Sequence, residues 1–299
     1  MSSSSDGWIQ PGPFHADVQY LEALWRRVAV GEVDLPVIDI GEGEPLVFVP
    51  ILEHLEWVYA RQVRAFSGTR RVIMYRRREA RTRFTGCEER VEDLRRVLDS
   101  LGLEQADLVG HGDAAMVLFE FAIRYPERCR SLMIIAQGAD YQVAPHPFIW
   151  LLHELFLRLP IEHLLPAWFL RRIVINYITA SRGAASPDAS QVCALPRALI
   201  EEQFRKITLW PAVYKLSVLP VIHSFDVSAR LARLTMPILL INREDDALSP
   251  EAKTRWLAQN LPHCVDYHVI PGRERFFMYS EAGKVYSLLE AFLTRRAAH

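Results

Sequence analysis

The chain has 299 residues, half of them apolar and 24% charged, the balance of a folded protein with one large core or two modest ones. This composition excludes a disordered chain, a collagen-like fibre and a disulfide-stapled miniprotein. A net charge of −1 leaves no global field to hold nucleic acid or an anionic membrane, and the excess of Arg over four Lys reads as genome bias.

The opening stretch, Met1 to Gly7, has neither a basic start nor an apolar run, so it reads as a floppy leader rather than a signal peptide. No apolar run reaches the roughly 18–20 residues of a membrane span. Cys87, Cys129, Cys193 and Cys264 are far apart and form no C-x-x-C pair, which predicts free thiols in a reducing, cytoplasmic setting without a metal site. No cofactor is expected.

Short β-patterned runs at 27–30 and 35–40 lead into a Gly41-Glu42-Gly43 turn and a continuous apolar run at 46–50, the kind buried on both faces of a sheet. Helical patterning covers about 55–67, and residues 72–75 form another buried strand. Val91, Leu94, Val97, Leu98 and Leu101 mark an amphipathic helix over 88–101. A strand at 107–110, a helix over about 113–125 and a strand at 132–136 follow. Beyond the middle of the chain, strands at 237–242 and 265–270 alternate with helices at 250–260 and 280–296. Parallel strands need crossover helices, so this alternation predicts a mostly parallel α/β sheet.

Residues 143–228 break the alternation with apolar helical pattern, divided by a small and polar linker at 181–190. The insert reads as a cap on a core built from 1–142 and 229–299. Its apolar faces allow plain packing, the wall of a lipophilic pocket, or contact with a membrane surface.

The most informative segment is Leu108-Val109-Gly110-His111-Gly112-Asp113-Ala114-Ala115, which joins a buried strand to a helix. In a G-x-S-x-G elbow, small residues flank a nucleophile held on a strained turn at the sheet edge. The frame is present here, but Gly112 stands in the middle. Glycine tolerates that backbone and carries no attacking atom.

With these marks the chain resembles the α/β-hydrolase superfamily over roughly residues 25–299. The supporting features come in order: the Pro50 loop, the Gly110-His111-x-x-Ala114 elbow and Tyr125-Pro126-Glu127-Arg128. After the cap come Pro237 to Ile241, Asp246, Pro271-Gly272 and a terminal helix. The resemblance implies an α/β-hydrolase fold, a parallel sheet flanked by helices with a helical cap after the sixth strand. It places the family triad on Gly112, Arg275 and Asp246, so nucleophile and base are replaced and the acid is kept. Arginine stays protonated near neutral pH and is no general base. Its expected role is an ion pair to Asp246, with polarisation of an oxygen on a lipophilic substrate as its catalytic alternative. The loop Pro50-Ile51-Leu52-Glu53-His54 is bulkier than its family counterparts, although the Asp113 N–H keeps the place of one oxyanion donor.

Asp113 has two readings, a helix cap or a proton shuttle raised in pKa by burial. His54, on the facing loop, is a structural histidine or its catalytic partner. Residues 70–83 hold seven arginines, either a solvated face or a mouth that attracts a carboxylate or thioester-bearing ligand. Trp150, Trp168, Phe276 and Arg77 are the candidate ligand contacts. The expected function is a non-hydrolytic enzyme for cyclisation, elimination or isomerisation of a lipophilic small molecule in biosynthesis, with a homodimer possible. The alternative is a catalytically silent binding or scaffold protein.

Overall fold

The apolar runs pair side by side in a single eight-stranded sheet. A computed structural model describes residues 9–78, 85–140, short pieces between 151 and 175, 195–207, 212–246 and 249–297. The strands are β1 Arg26–Val30, β2 Val33–Ile40, β3 Pro45–Phe48, β4 Arg71–Tyr75, β5 Ala106–His111, β6 Cys129–Ile135, β7 Ile238–Arg243 and β8 Cys264–Ile270. Their order is β1-β2-β4-β3-β5-β6-β7-β8. The two pairings of β2 are antiparallel and every other pairing is parallel. Leu46, Val47 and Phe48 of β3 are fully buried, as are Leu108 and Val109 of β5, because helices cover both faces.

The helices used below are α1 Pro11–Ala23, α2 Ala60–Phe66, α3 Cys87–Ser100, α4 Asp113–Arg124, α5 Arg197–Lys206, α6 Leu219–Ser224, α7 Glu251–Asn260 and α8 Ala282–Ala297. The sequence reading places no element at α1. Its two prolines fit a first turn that needs no N–H donors, and Phe14, Asp17 and Leu21 are buried. Asp17 fastens the helix, accepting from Arg61 Nε at 2.9 Å, Arg64 Nη1 at 2.7 Å and the Tyr279 hydroxyl at 2.8 Å. The N-terminus of α3 is capped where the Glu89 carboxylate accepts the Gly86 N–H at 2.9 Å.

Topology places the site. From β3 the chain crosses by α2 to β4 on one side, whereas from β5 it crosses by α4 to β6 on the other. Right-handed crossovers in opposite directions put α2 and α4 on opposite faces. The crevice of such a sheet opens at this switch, between the carboxyl ends of β3 and β5. The Pro50–His54 loop leaves one of these ends and Gly112 the other.

Both boundaries expected for the cap fall between β6 and β7. Residue 143 and the linker at 181–190 lie outside the described residues. Among the described residues, no helix is long and apolar enough to cross a membrane. Cys87 and Cys129 are free thiols, and burial pushes the Cys87 thiol up to about 12.

Candidate functional site

The turn from β5 into α4 is built by two glycines with different physical duties. A Cβ on Gly110 would lie 2.8 Å from Leu118 Cδ1 and 2.9 Å from the Ala115 nitrogen, so only glycine lets the helix close on its strand. Gly112 has φ 59° and ψ −121°, the strained backbone of a strand-to-helix elbow. A Cβ there would lie 2.8 Å from Arg275 Nη2. The guanidinium therefore occupies the space into which a side chain at 112 would project.

Arg275 follows β8 and reaches back across the sheet edge. Its Nη1 donates to both oxygens of Asp246, at 2.8 and 2.9 Å, and Nη2 lies 3.4 Å from the Ala136 carbonyl. Asp246 is buried and Arg275 largely so, with 1% and 10% of their side chains exposed. Asp246 also accepts the Ser249 N–H at 2.9 Å, which orients its carboxylate.

Asp113 opens α4, among the backbone N–H groups that a helix leaves without partners. Its carboxylate accepts from Arg77 Nη1 at 2.6 Å and lies 3.5 Å from Arg90 Nη1. Burial pushes its pKa up, but the charges of Arg77 and Arg90, the Arg77 hydrogen bond and the Arg275 charge pull harder, so the pKa ends below its ordinary value. This corrects the expectation of a carboxylate raised in pKa by burial. The helix-cap reading is corrected as well, since Gly112 holds the cap position and α4 has no side-chain cap hydrogen bond. An ionised group locked between two cations is a poor proton shuttle.

The arginine run is corrected in the same way. Arg71 pairs with Asp39, Arg76 with Glu22 and Glu56, Arg77 with Asp113, and Arg78 with Asp93. Four of its five described members are thus paired within the fold, whereas Arg70 has no ion pair among the described residues, and Arg81 and Arg83 lie outside them. His54 sits at φ 65° with Nε2 3.7 Å from Glu53 Oε1. Burial holds its pKa down, and its charged neighbours are Glu53, Arg76, Glu22 and Lys206. Among the described residues no hydrogen bond joins it to Asp113, so the structure does not bring that pair together.

Phe276, expected to face a ligand, is 4% exposed and packs its ring 5.2 Å from that of Trp57. Trp168 is 63% exposed and lines a separate cavity with arginines, none of which belongs to the elbow. Trp150 lies outside the described residues. Sequence reasoning missed Arg90, yet its signal was present. It lies four residues before Leu94 on the apolar face of α3, where a buried guanidinium requires an acidic partner.

His111 completes the elbow. Its N–H donates to the Tyr59 hydroxyl at 3.0 Å, and its Nε2 lies 2.9 Å from the Arg275 carbonyl. Burial and then the Arg275 charge lower its pKa to about 4, against 6.5 for an ordinary histidine. The folded chain keeps this ring neutral where the unfolded chain has already taken a proton. Its contribution to stability is thus full above pH 6.5 and is lost as pH falls toward 4. Glu56 and Glu274, raised to about 7 by burial, tilt the pH profile the opposite way, but identically in wild type and a His111 variant. In His111→Gln the extra acid loss is expected to vanish, shrinking the stability difference between neutral and mildly acidic buffer by about 1–3 kcal/mol. Urea unfolding at the two pH values measures it; parallel profiles for the two proteins would refute it.

Comparison with known proteins agrees with this fold. A family profile described as alpha/beta hydrolase fold matches residues 82–282. The chain is 25% identical over 249 residues to an Azorhizobium caulinodans protein named as a carbamate hydrolase, RutD, covering 78% of this chain and 84% of that one. It is 31% identical over 140 residues to the 2-hydroxy-6-oxo-2,4-heptadienoate hydrolase of Pseudomonas putida, covering 40% of this chain and 47% of that one. The chain thus matches only about half the length of the latter relative. Among solved structures, the enol-lactonase of Burkholderia xenovorans superimposes with a TM-score of 0.70 at 19% identity, covering 90% of this chain and all of that one. An esterase of Thermogutta terrifontis gives 0.67 at 18% identity, covering 91% and 98%. At these identities the structural likeness shows the fold.

Proposed function

This chain belongs to the α/β-hydrolase fold family, and from that premise we propose that it is a ligand-binding member that does not perform nucleophilic hydrolysis. The observation that carries the reading is Arg275 Nη2, 2.8 Å from the position a Cβ at 112 would take. Family position by family position, Gly112 stands for the nucleophile, Arg275 for the base and Asp246 for the acid. Without an attacking oxygen, sulfur or carboxylate at 112, no covalent intermediate forms there. A guanidinium at 275 cannot take the proton that a hydrolytic step releases.

The ion pair at this edge supports a binding role rather than a catalytic one. Arg275 presents a cation beside the first backbone N–H groups of α4, an arrangement suited to the oxygen of a carboxyl or ester group. Apolar side chains exposed on the inserted segment, Leu151, Leu155 and Leu159, support a lipophilic body for that ligand. A lyase or isomerase would need a group that moves protons, and the pairing of Asp113 with Arg77 removes the strongest candidate.

The test is turnover of an activated ester such as p-nitrophenyl butyrate. Wild type is expected to release p-nitrophenol no faster than variants altered in the cleft, Arg275→Ala and Asp246→Asn. Saturable turnover that those substitutions abolish would overturn the proposal.

A further inference from the structure

We propose that the cavity between the Trp168 segment and α5 binds an amphipathic anion, a phosphate-type group carrying two or more charges on an apolar or aromatic body. The site is independent of the elbow and of the function read from it. The cavity holds about 460 Å³ and is lined by Trp168, Arg171, Arg172, Ile175, Arg197, Glu201 and Arg205. That volume suits a small organic ligand.

The lining is helical on both sides. Trp168, Arg171, Arg172 and Ile175 are each helical and line the cavity from one side. Arg197, Glu201 and Arg205 recur every four residues along one face of α5. Two arginine-bearing sides thus meet over one concavity.

Clustering of cations sets this place apart. Many surface arginines rest on carboxylates, as Arg128 on Asp99, Arg230 on Glu120 and Arg255 on Glu251, and Arg27 and Arg96, which have none among the described residues, lie outside this cavity. In the cavity the one carboxylate, Glu201, is held by Arg197 at 2.7 Å. Among the described residues, Arg171, Arg172 and Arg205 have no carboxylate within ion-pair reach. Arg171 Nε is buried without a hydrogen-bond partner. Burial and then the charge of Arg205 lower the Arg171 pKa, the mark of cations brought together with no anion between them. A multiply charged oxyanion would offer these forked donors paired oxygens and relieve their repulsion. The exposed Trp168 indole and the buried Ile175 supply the apolar wall beside it.

Hexyl phosphate and inorganic pyrophosphate, each titrated calorimetrically into the full chain, are the solution probes. Vesicles of phosphatidylcholine with and without phosphatidic acid are the lipid probe. Hexyl phosphate is expected to bind, more weakly as salt rises, and to lose about tenfold or more in affinity in Arg171→Gln/Arg205→Gln. Glu201→Gln, which removes a half-buried carboxylate charge from the lining, is expected to tighten binding several-fold while the melting temperature holds. Binding only to vesicles containing phosphatidic acid, lost in the same double variant, would support the site with a lipid headgroup as its source. The proposal fails if neither hexyl phosphate nor the acidic vesicles bind. It fails equally if Glu201→Gln leaves affinity unchanged.

Discussion

Asp113→Asn is expected to lower the melting temperature by on the order of 5–10 °C, a structural rather than a catalytic effect. The side chain keeps its shape, and the Asp113 carboxylate makes no cap hydrogen bond to α4, so neither packing nor helix capping accounts for the loss. What changes is the charge between Arg77 and Arg90, whose side chains are only 4% and 5% exposed. Removing one member of a buried ion network costs about 3–5 kcal/mol, because the remaining charges stay desolvated. The folded pKa of Asp113 lies below that of an ordinary carboxylate, so its stabilisation is present above the unfolded value and disappears as pH falls through the folded one. Thermal unfolding of wild type and variant near neutrality, and again in strong acid, checks both parts. An unchanged melting temperature at neutral pH would show that Asp113 is not the counter-ion of these arginines.

The second large effect lies across the elbow. Arg275→Ala is expected to destabilise the fold by about 3 kcal/mol or more, because Asp246, with 1% of its side chain exposed, loses its counter-ion. The double variant Arg275→Met/Asp246→Leu replaces the pair by apolar groups and is expected to recover most of that loss. A double-mutant cycle from chemical unfolding isolates the coupling. Additive losses would mean that the two residues do not act as a pair.

Much of this architecture is legible in the residues. The buried runs expected at 46–50 and 107–110 fall on β3, which ends at Phe48, and on β5, and Gly112 occupies the turn that the elbow pattern indicates. Periodicity finds these elements because burial on both sheet faces leaves no room for polar side chains. The first helix was not legible, because Pro11 and Pro13 look like breakers until they are seen at a helix start.

The site was harder to read because ion pairing is set by tertiary approach rather than spacing. Seven arginines between 70 and 83 look like one electropositive surface, yet Arg76 and Arg77 face partners as distant in sequence as Glu22 and Asp113. The same blindness hides Arg171, Arg172 and Arg205, whose lack of carboxylates emerges only when the two sides of the cavity meet. Asp113 reads as a helix cap or proton shuttle in sequence because Arg77, past the end of β4, and Arg90, on α3, converge on it only in the fold.

The central claim is that position 112 offers no nucleophile and position 275 no base. Intact-protein mass spectrometry after treatment with a fluorophosphonate tests it most directly, on wild type beside Gly112→Ser/Arg275→His. The double change supplies an oxygen on the elbow and an imidazole beside Asp246, while removing the guanidinium that a Cβ at 112 would meet at 2.8 Å. Wild type is expected to keep its mass and the double variant to gain one adduct on Ser at 112. A stoichiometric adduct on wild type that maps to this cleft would contradict the account.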